Sequence, residues 1–177
     1  MLLLLRPTSF VRLPINMTNI IKRSFDDISY EYIRGLIEGE GCFSFCTFGK
    51  EVMVSDGRTG KMKLPAFIIS MHERDIELLR SVRNKLKLRN SVYHHKEYKR
   101  NDGYKHGRMS TLIVRDFGQL RNIIIPLFYK KLIGNKALQF ENWVNLIDYD
   151  PFIPERYKIL SMLLKSGFYD KNLKNFE

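Results

Sequence analysis

From Asp27 onward the apolar positions fall into a readable order. In SYEYIRGLIEG, Ile33, Leu36 and Ile37 recur at helical spacing behind Ser29, a residue suited to cap a helix start, and Gly39 to Gly41 mark the end. CFSFCTF follows at once and alternates, Phe43 and Phe45 against Ser44 and Cys46, which predicts a strand. EVMVSDGRTGKMK holds Asp56-Gly57 and Gly60 and predicts a hairpin connection into a second strand, LPAFIISM. HERDIELLRSVRNKL places Ile76, Leu79, Val82 and Leu86 on one helical face. SVYHHKEYK and RMSTLIVRD predict another strand pair around NDGYKHG. DFGQLRNIIIPLF predicts a helix broken at Pro126, and GNKALQFENWVNLI a helix with Leu138, Trp143 and Ile147 toward a core. PERYKILSMLLKSG predicts a last helix, with Pro154 in its first turn and Gly167 as its stop.

This order predicts an α+β domain of αββαββα type with one antiparallel four-stranded sheet, helices on one face, and further C-terminal helices. The other sheet face is left free. Phe43 and Phe45 are expected against the helices, which turns Ser44, Cys46, Phe48 and Lys50 outward. On the third strand Tyr93/His95 and His94/Lys96 form two alternating sets, either of which fits the free side. On the fourth, Leu112 and Val114 read as core, so Thr111 and Arg115 are expected outside.

Residues 1–26 are read as an extension outside the fold, and residues 27–177 as a single domain. MLLLL runs into Arg6-Pro7, too short for a membrane span and wrongly flanked for a signal-peptide core. The basic, Ser/Thr-containing chemistry of the first 25 residues, which hold no acid, suits a transit segment; a reading-frame extension with Met17 as a second start fits equally. Alanine occurs only at Ala66 and Ala137, consistent with an A+T-rich gene. Together these favour an organelle, mitochondrion or chloroplast, with bacterial cytoplasm as the alternative.

Charge narrows the partner. Thirty Lys+Arg against nineteen Asp+Glu leave +11, an excess that on a small domain points to a polyanion, nucleic acid before membrane. Eight of those net charges lie between Arg80 and Arg108, where ten basic residues face two acids among interleaved Tyr and His. Cys42 and Cys46 are the only cysteines, which excludes a disulfide scaffold and a structural zinc site.

The chemistry is concentrated in Ile33 to Gly41, IRGLIEGEG, directly before CFSF. Gly35 and Gly39 stand at i and i+4, where missing side chains let two helices approach closely. Glu38 and Glu40 flank Gly39 at the helix end, where carboxylates oppose the helix dipole and capping does not explain them. A hard cation offsets that repulsion.

This segment, in its helix-to-strand setting, resembles the signature of the LAGLIDADG homing endonuclease family. The resemblance implies a site-specific, metal-dependent DNA endonuclease that hydrolyses both strands at a long pseudo-palindromic site and promotes intron mobility. By that likeness Glu40 is the catalytic and metal-binding acid, with the Gly39 carbonyl beside it and Glu38 in support. Mg²⁺ is the expected cofactor, with Mn²⁺ able to substitute. A single motif per chain implies a homodimer joined through Gly35, Leu36 and Gly39. Double-stranded DNA is the expected partner, read by Ser44, Cys46, Lys50, Tyr93, His95, Lys96, Arg100, Thr111 and Arg115.

GNKALQF resembles the family's late basic position, so Lys136 and Gln139 are expected at the scissile phosphate, with Lys131 the second choice. The family often has Asp where this chain has Glu38 and Glu40, and a small residue at Arg34, which is tolerable if it points away from the helix pair. Met71 falls where the family often places a water-ordering polar residue, with His72 adjacent. An intron RNA maturase, with intron RNA as partner, and a cleavage-silent DNA-binding regulator are the other functions this likeness allows.

Overall fold

A computed structural model describes residues 28–99, 101, 103, 105–171 and 176; the N-terminal extension and Arg100 lie outside them. Helix α1 (Tyr30–Glu40) passes without a linker into β1 (Gly41–Met53), which pairs with β2 (Thr59–His72). A 3₁₀ turn leads to α2 (Ile76–Lys85), then come β3 (Val92–His95), a small hairpin of β4 (Tyr98–Lys99) and β5 (Lys105–His106), and β6 (Met109–Val114). The chain ends in α3 (Phe117–Gln119), a π-helical stretch, α4 (Ile125–Phe128), α5 (Gly134–Tyr149) and α6 (Glu155–Lys165), followed by a last 3₁₀ turn. The main sheet is antiparallel in the order β1-β2-β6-β3. The α+β, four-stranded architecture expected from the sequence is the one present. No helix among the described residues is long and apolar enough to cross a membrane.

The core lies between one sheet face and the helices. Ile33 and Ile37 of α1, Leu79 and Val82 of α2, and Phe67, Ile69, Leu112 and Val114 of the sheet are fully buried together. Phe43 is its aromatic hub, with ring centroids 5.1–5.6 Å from Phe67, Phe128, Phe140 and Trp143. Aromatic pairs at such distances add to the transfer energy of each ring, so this hub fixes where α5 sits over β1.

Local signals decide two helix starts, that of α1 as expected from the sequence. Ser29 accepts the Tyr32 N–H at 3.1 Å and starts α1. Asp116 accepts the Gln119 N–H at 2.9 Å and starts α3.

Other expectations need correction. The hairpin connection is only Val54–Arg58, because β1 and β2 run on as a two-stranded ribbon past the limits of the sheet. Pro126 does not break its helix: its missing N–H is absorbed by a wide turn in which Ile125 N–H bonds to Leu120 O. On α5 the buried set is Phe140, Trp143, Val144 and Ile147, a true i, i+3, i+4, i+7 stripe, whereas Leu138 is 58% exposed.

The α5–α6 loop braces the outer half of β2. Lys63 N–H donates to Phe152 O at 2.9 Å, and Lys63 Nζ meets Asp150 Oδ2 at 2.7 Å. Burial pushes the Asp150 carboxyl up, but Lys63 and the Phe152 N–H outweigh it and hold it below its ordinary value. A depressed carboxyl stabilises the fold fully above its unfolded value of about 3.9 and stops doing so as pH falls through the folded one. Asp150→Asn is therefore expected to lower the melting temperature at pH 7 and to match the native chain near pH 2. The difference is under about 1 kcal/mol because the pair is partly solvated; thermal melts at the two pH values measure it.

Candidate functional site

The end of α1 brings the motif residues together with α5. Glu40 closes the helix with its side chain exposed, and among the described residues it takes no hydrogen bond or ion pair. Gly39 lies in the last turn, where helix carbonyls lack an intrahelical partner. The neighbouring Gly41 carbonyl accepts from Lys136 Nζ at 2.6 Å, and Lys136 also donates to Gln139 Oε1 at 3.1 Å. Lys136 and Gln139, 95 or more residues from the motif, thus stand one peptide from Glu40. A cation there also suits the negative end of α1.

Glu38 faces the other way and fixes this meeting. Its Oε1 accepts the Ile133 N–H at 2.6 Å, at the start of α5, where no side chain of α5's own caps the helix. A carboxylate at a helix N-terminus is favourable by about 0.3–1 kcal/mol. The contact anchors the first turn of α5 to the motif helix, and Lys136 follows from it. Trp143 Nε1 adds a second tie, donating to Ser44 O at 2.8 Å. Neither tie has a local sequence signal, since each joins residues nearly a hundred apart.

The helix-to-strand junction depends on one glycine. A Cβ at Gly41 would sit 2.4 Å from Ile37 Cγ2 and 2.9 Å from Ile37 O, although the backbone angles there are ordinary. Gly41→Ala is expected to cost roughly 1–3 kcal/mol through overpacking. Gly39→Ala, where a Cβ meets nothing within 4 Å, is expected to be neutral or stabilising. Urea unfolding of the two variants side by side measures the contrast.

Gly35 and Gly39 are exposed on the face of α1 away from Ile33 and Ile37, with Leu36 half-buried beside them. Arg34 does not crowd that face. Its guanidinium donates to Leu127 O at 3.0 Å and Phe176 O at 2.7 Å, and pairs with Glu31 at 3.2 Å.

The sheet register settles the facing of the strand residues. Ser44 and Cys46 pair with Ala66 and Leu64 on the side opposite the core. Tyr93 pairs with Thr111, and His95 with Met109, on that same side; His94, opposite Ser110, falls on the helix side. Thr111 is only 6% exposed, and its hydroxyl is 2.9 Å from that of Ser70. Lys50 lies in a bulge between Phe48 and Glu51, where one-to-one pairing lapses. Lys96 and Arg115 are exposed just past the ends of β3 and β6.

Met71 packs against the core, and His72 caps the next turn, its Nδ1 accepting from Arg74 N–H at 3.2 Å. Lys131 is exposed in the loop before α5. The basic run is divided: Arg80, Arg83 and Lys85 are on α2, and Lys87 and Arg89 directly after it, so half of the run belongs to the helix layer.

Glu40 and the Gly39 carbonyl are hard ligands of the kind Mg²⁺ takes. Among the described residues no three His, Cys, Asp or Glu side chains converge.

The family model described as LAGLIDADG endonuclease matches residues 33–147. Among solved structures, this chain is similar to the homing endonuclease I-TnaI, at 22% identity and a TM-score of 0.50, over 83% of this chain and 81% of that one. It is similar to the meganuclease I-SmaMI bound to an uncleaveable DNA, at 24% identity and a TM-score of 0.51, over 80% of this chain and 44% of that one. It is also similar to the meganuclease I-AabMI bound to uncleaved DNA, at 20% identity and a TM-score of 0.50, covering 82% and 41%. The chain spans most of the first and less than half the length of the other two. At these identities the likeness is one of fold.

Proposed function

This chain belongs to the LAGLIDADG endonuclease family, whose members are DNA endonucleases, and from that premise we propose that it is a homodimeric homing endonuclease hydrolysing both strands of a long pseudo-palindromic site. One observation carries this reading: Glu40, a carboxylate without a partner among the described residues, ends the motif helix, and Lys136 is fixed on the carbonyl of the next residue, Gly41, where that helix enters the sheet. A stability role needs no such bare acid.

Each chain supplies one Glu40, so two chains are needed for two cuts. The open faces of Gly35 and Gly39 support a second α1 packing against the first. Two sheets side by side then enter the major groove, which admits β-ribbons. The Glu40 carboxylate and Gly39 carbonyl would hold Mg²⁺, or Mn²⁺ in its place, against the scissile phosphate. Bound there, the cation would activate water and neutralise the leaving oxygen. Lys136 stabilises charge on the pentacovalent phosphate from its fixed position, and Gln139, bonded to it, keeps the ammonium aimed.

In the setting of an intron, a break in the uninterrupted allele promotes copying of the intron into it. Intron RNA is the second partner, favoured by the cationic residues on and after α2, away from the free sheet face. The test is a plasmid carrying the joined exons that flank the encoding intron. Linearisation that requires a divalent cation supports the endonuclease; salt-sensitive binding to the intron RNA with no cut in the plasmid supports a maturase.

A further inference from the structure

No paired position on the free face of the sheet carries arginine or lysine, the usual readers of guanine. Every paired position on that side, from Cys42 in β1 to His95 in β3, is apolar, hydroxyl, thiol, imidazole or phenol; none is Lys, Arg, Asn, Gln, Asp or Glu. The cations Lys50 and Arg115 stand at its margins, in the bulge and past the end of β6. Of the hydroxyls, Ser70 and Thr111 are bonded to each other. Apolar side chains remain accessible there: Phe48 is 43% exposed, and Met62, Leu64, Ile68, Met109 and Ile113 are partly buried.

Major-groove chemistry gives this composition a meaning. Guanine is read by Arg or Lys on O6 and N7, and adenine by the paired groups of Asn or Gln. The thymine 5-methyl is read by apolar contact. The face is continuous with the catalytic end, since Cys42 follows Glu40 by two residues, so a duplex cut at Glu40 lies across it. We propose that each half-site is read mainly through thymine methyl groups lying on Phe48, Met62, Ile68 and Ile113, and that the recognition sequence is correspondingly rich in A·T pairs. Affinity for the phosphates then comes from the marginal cations, which carry no sequence information. This inference rests on the reading of the protein as a duplex-DNA endonuclease.

The native full chain would be used to select duplexes from a random 30-base-pair pool at roughly physiological salt. Thymines of the selected half-site would then be replaced singly by deoxyuridine, which removes the methyl alone. The expected result is A·T-rich half-sites in which deoxyuridine weakens binding about three- to fivefold at each contacted position, the value of one buried methyl. Phe48→Arg is expected to gain a guanine preference at one position in each half-site. Half-sites rich in G·C, or binding indifferent to deoxyuridine throughout, would overturn the inference while leaving the endonuclease intact. A native chain that retains no duplex would overturn both.

Discussion

Glu40→Gln is expected to lower cleavage by roughly two to three orders of magnitude while leaving duplex affinity within about threefold. The amide keeps the size of the carboxylate and removes the negative charge that holding a divalent cation requires. Because Glu40 is exposed and unpartnered among the described residues and opposes the dipole of the helix it ends, the fold does not depend on it, and the melting temperature should not fall. Glu38→Gln is the informative companion. Glu38 is committed to the Ile133 N–H at 2.6 Å, so its substitution weakens a charge-assisted bond and loosens α5. A loss of about 1 kcal/mol in stability, with a cleavage defect smaller than that of Glu40→Gln, is expected. Plasmid linearisation rates and urea melts on both variants decide it. A larger cleavage loss in Glu38→Gln would exchange the two roles.

Gly35→Leu is expected to produce a folded monomer with no double-strand cleavage at any practical concentration. A side chain at position 35 meets nothing within 4 Å in the chain, and leucine favours a helix over glycine by somewhat less than about 1 kcal/mol. The isolated domain should be at least as stable as before. The same side chain would stand between two motif helices that must approach closely, and overpacking a close contact costs about 1–3 kcal/mol in each copy. Sedimentation of native and variant protein measures the assembly. A native chain that sediments as a monomer, or a variant that remains dimeric, would remove α1 as the interface.

What could be read from the sequence was local. The Ser29 cap, the glycines of the motif and the alternation of β1 through Phe48 each act within a few residues, and each is found where the pattern puts it. The alternation fails at Gly49 and Lys50 because a bulge resets which side chain faces which way. Pattern also could not distinguish Leu138 from Phe140 as the core residue of α5, a choice made by the aromatic hub around Phe43.

The acid and the lysine were legible as types, from the motif and from GNKALQF. Their meeting was not, because it is made by Glu38 on Ile133 and by Lys136 on Gly41, contacts across 95 residues. Arg34 could be judged only once its guanidinium was seen on the Leu127 and Phe176 carbonyls. The basic run misled in one respect: as a string it is continuous, but α2 carries its first part to the layer opposite the free sheet face.

The direct passage from α1 into β1 at Gly41 has an evolutionary side. Without a linker, the direction of the strand is slaved to the axis of the helix, and in the proposed pair of chains the two reading faces would be held at a separation that only the helix contact can change. Side chains on the sheet can be exchanged one at a time, and with them the letters recognised. The interval between the two halves of the target cannot be adjusted so gradually, because any inserted residue would turn the strand over and move its core face outward. A lineage built on this junction can drift from one sequence to another with ease, and is confined to targets of a single spacing.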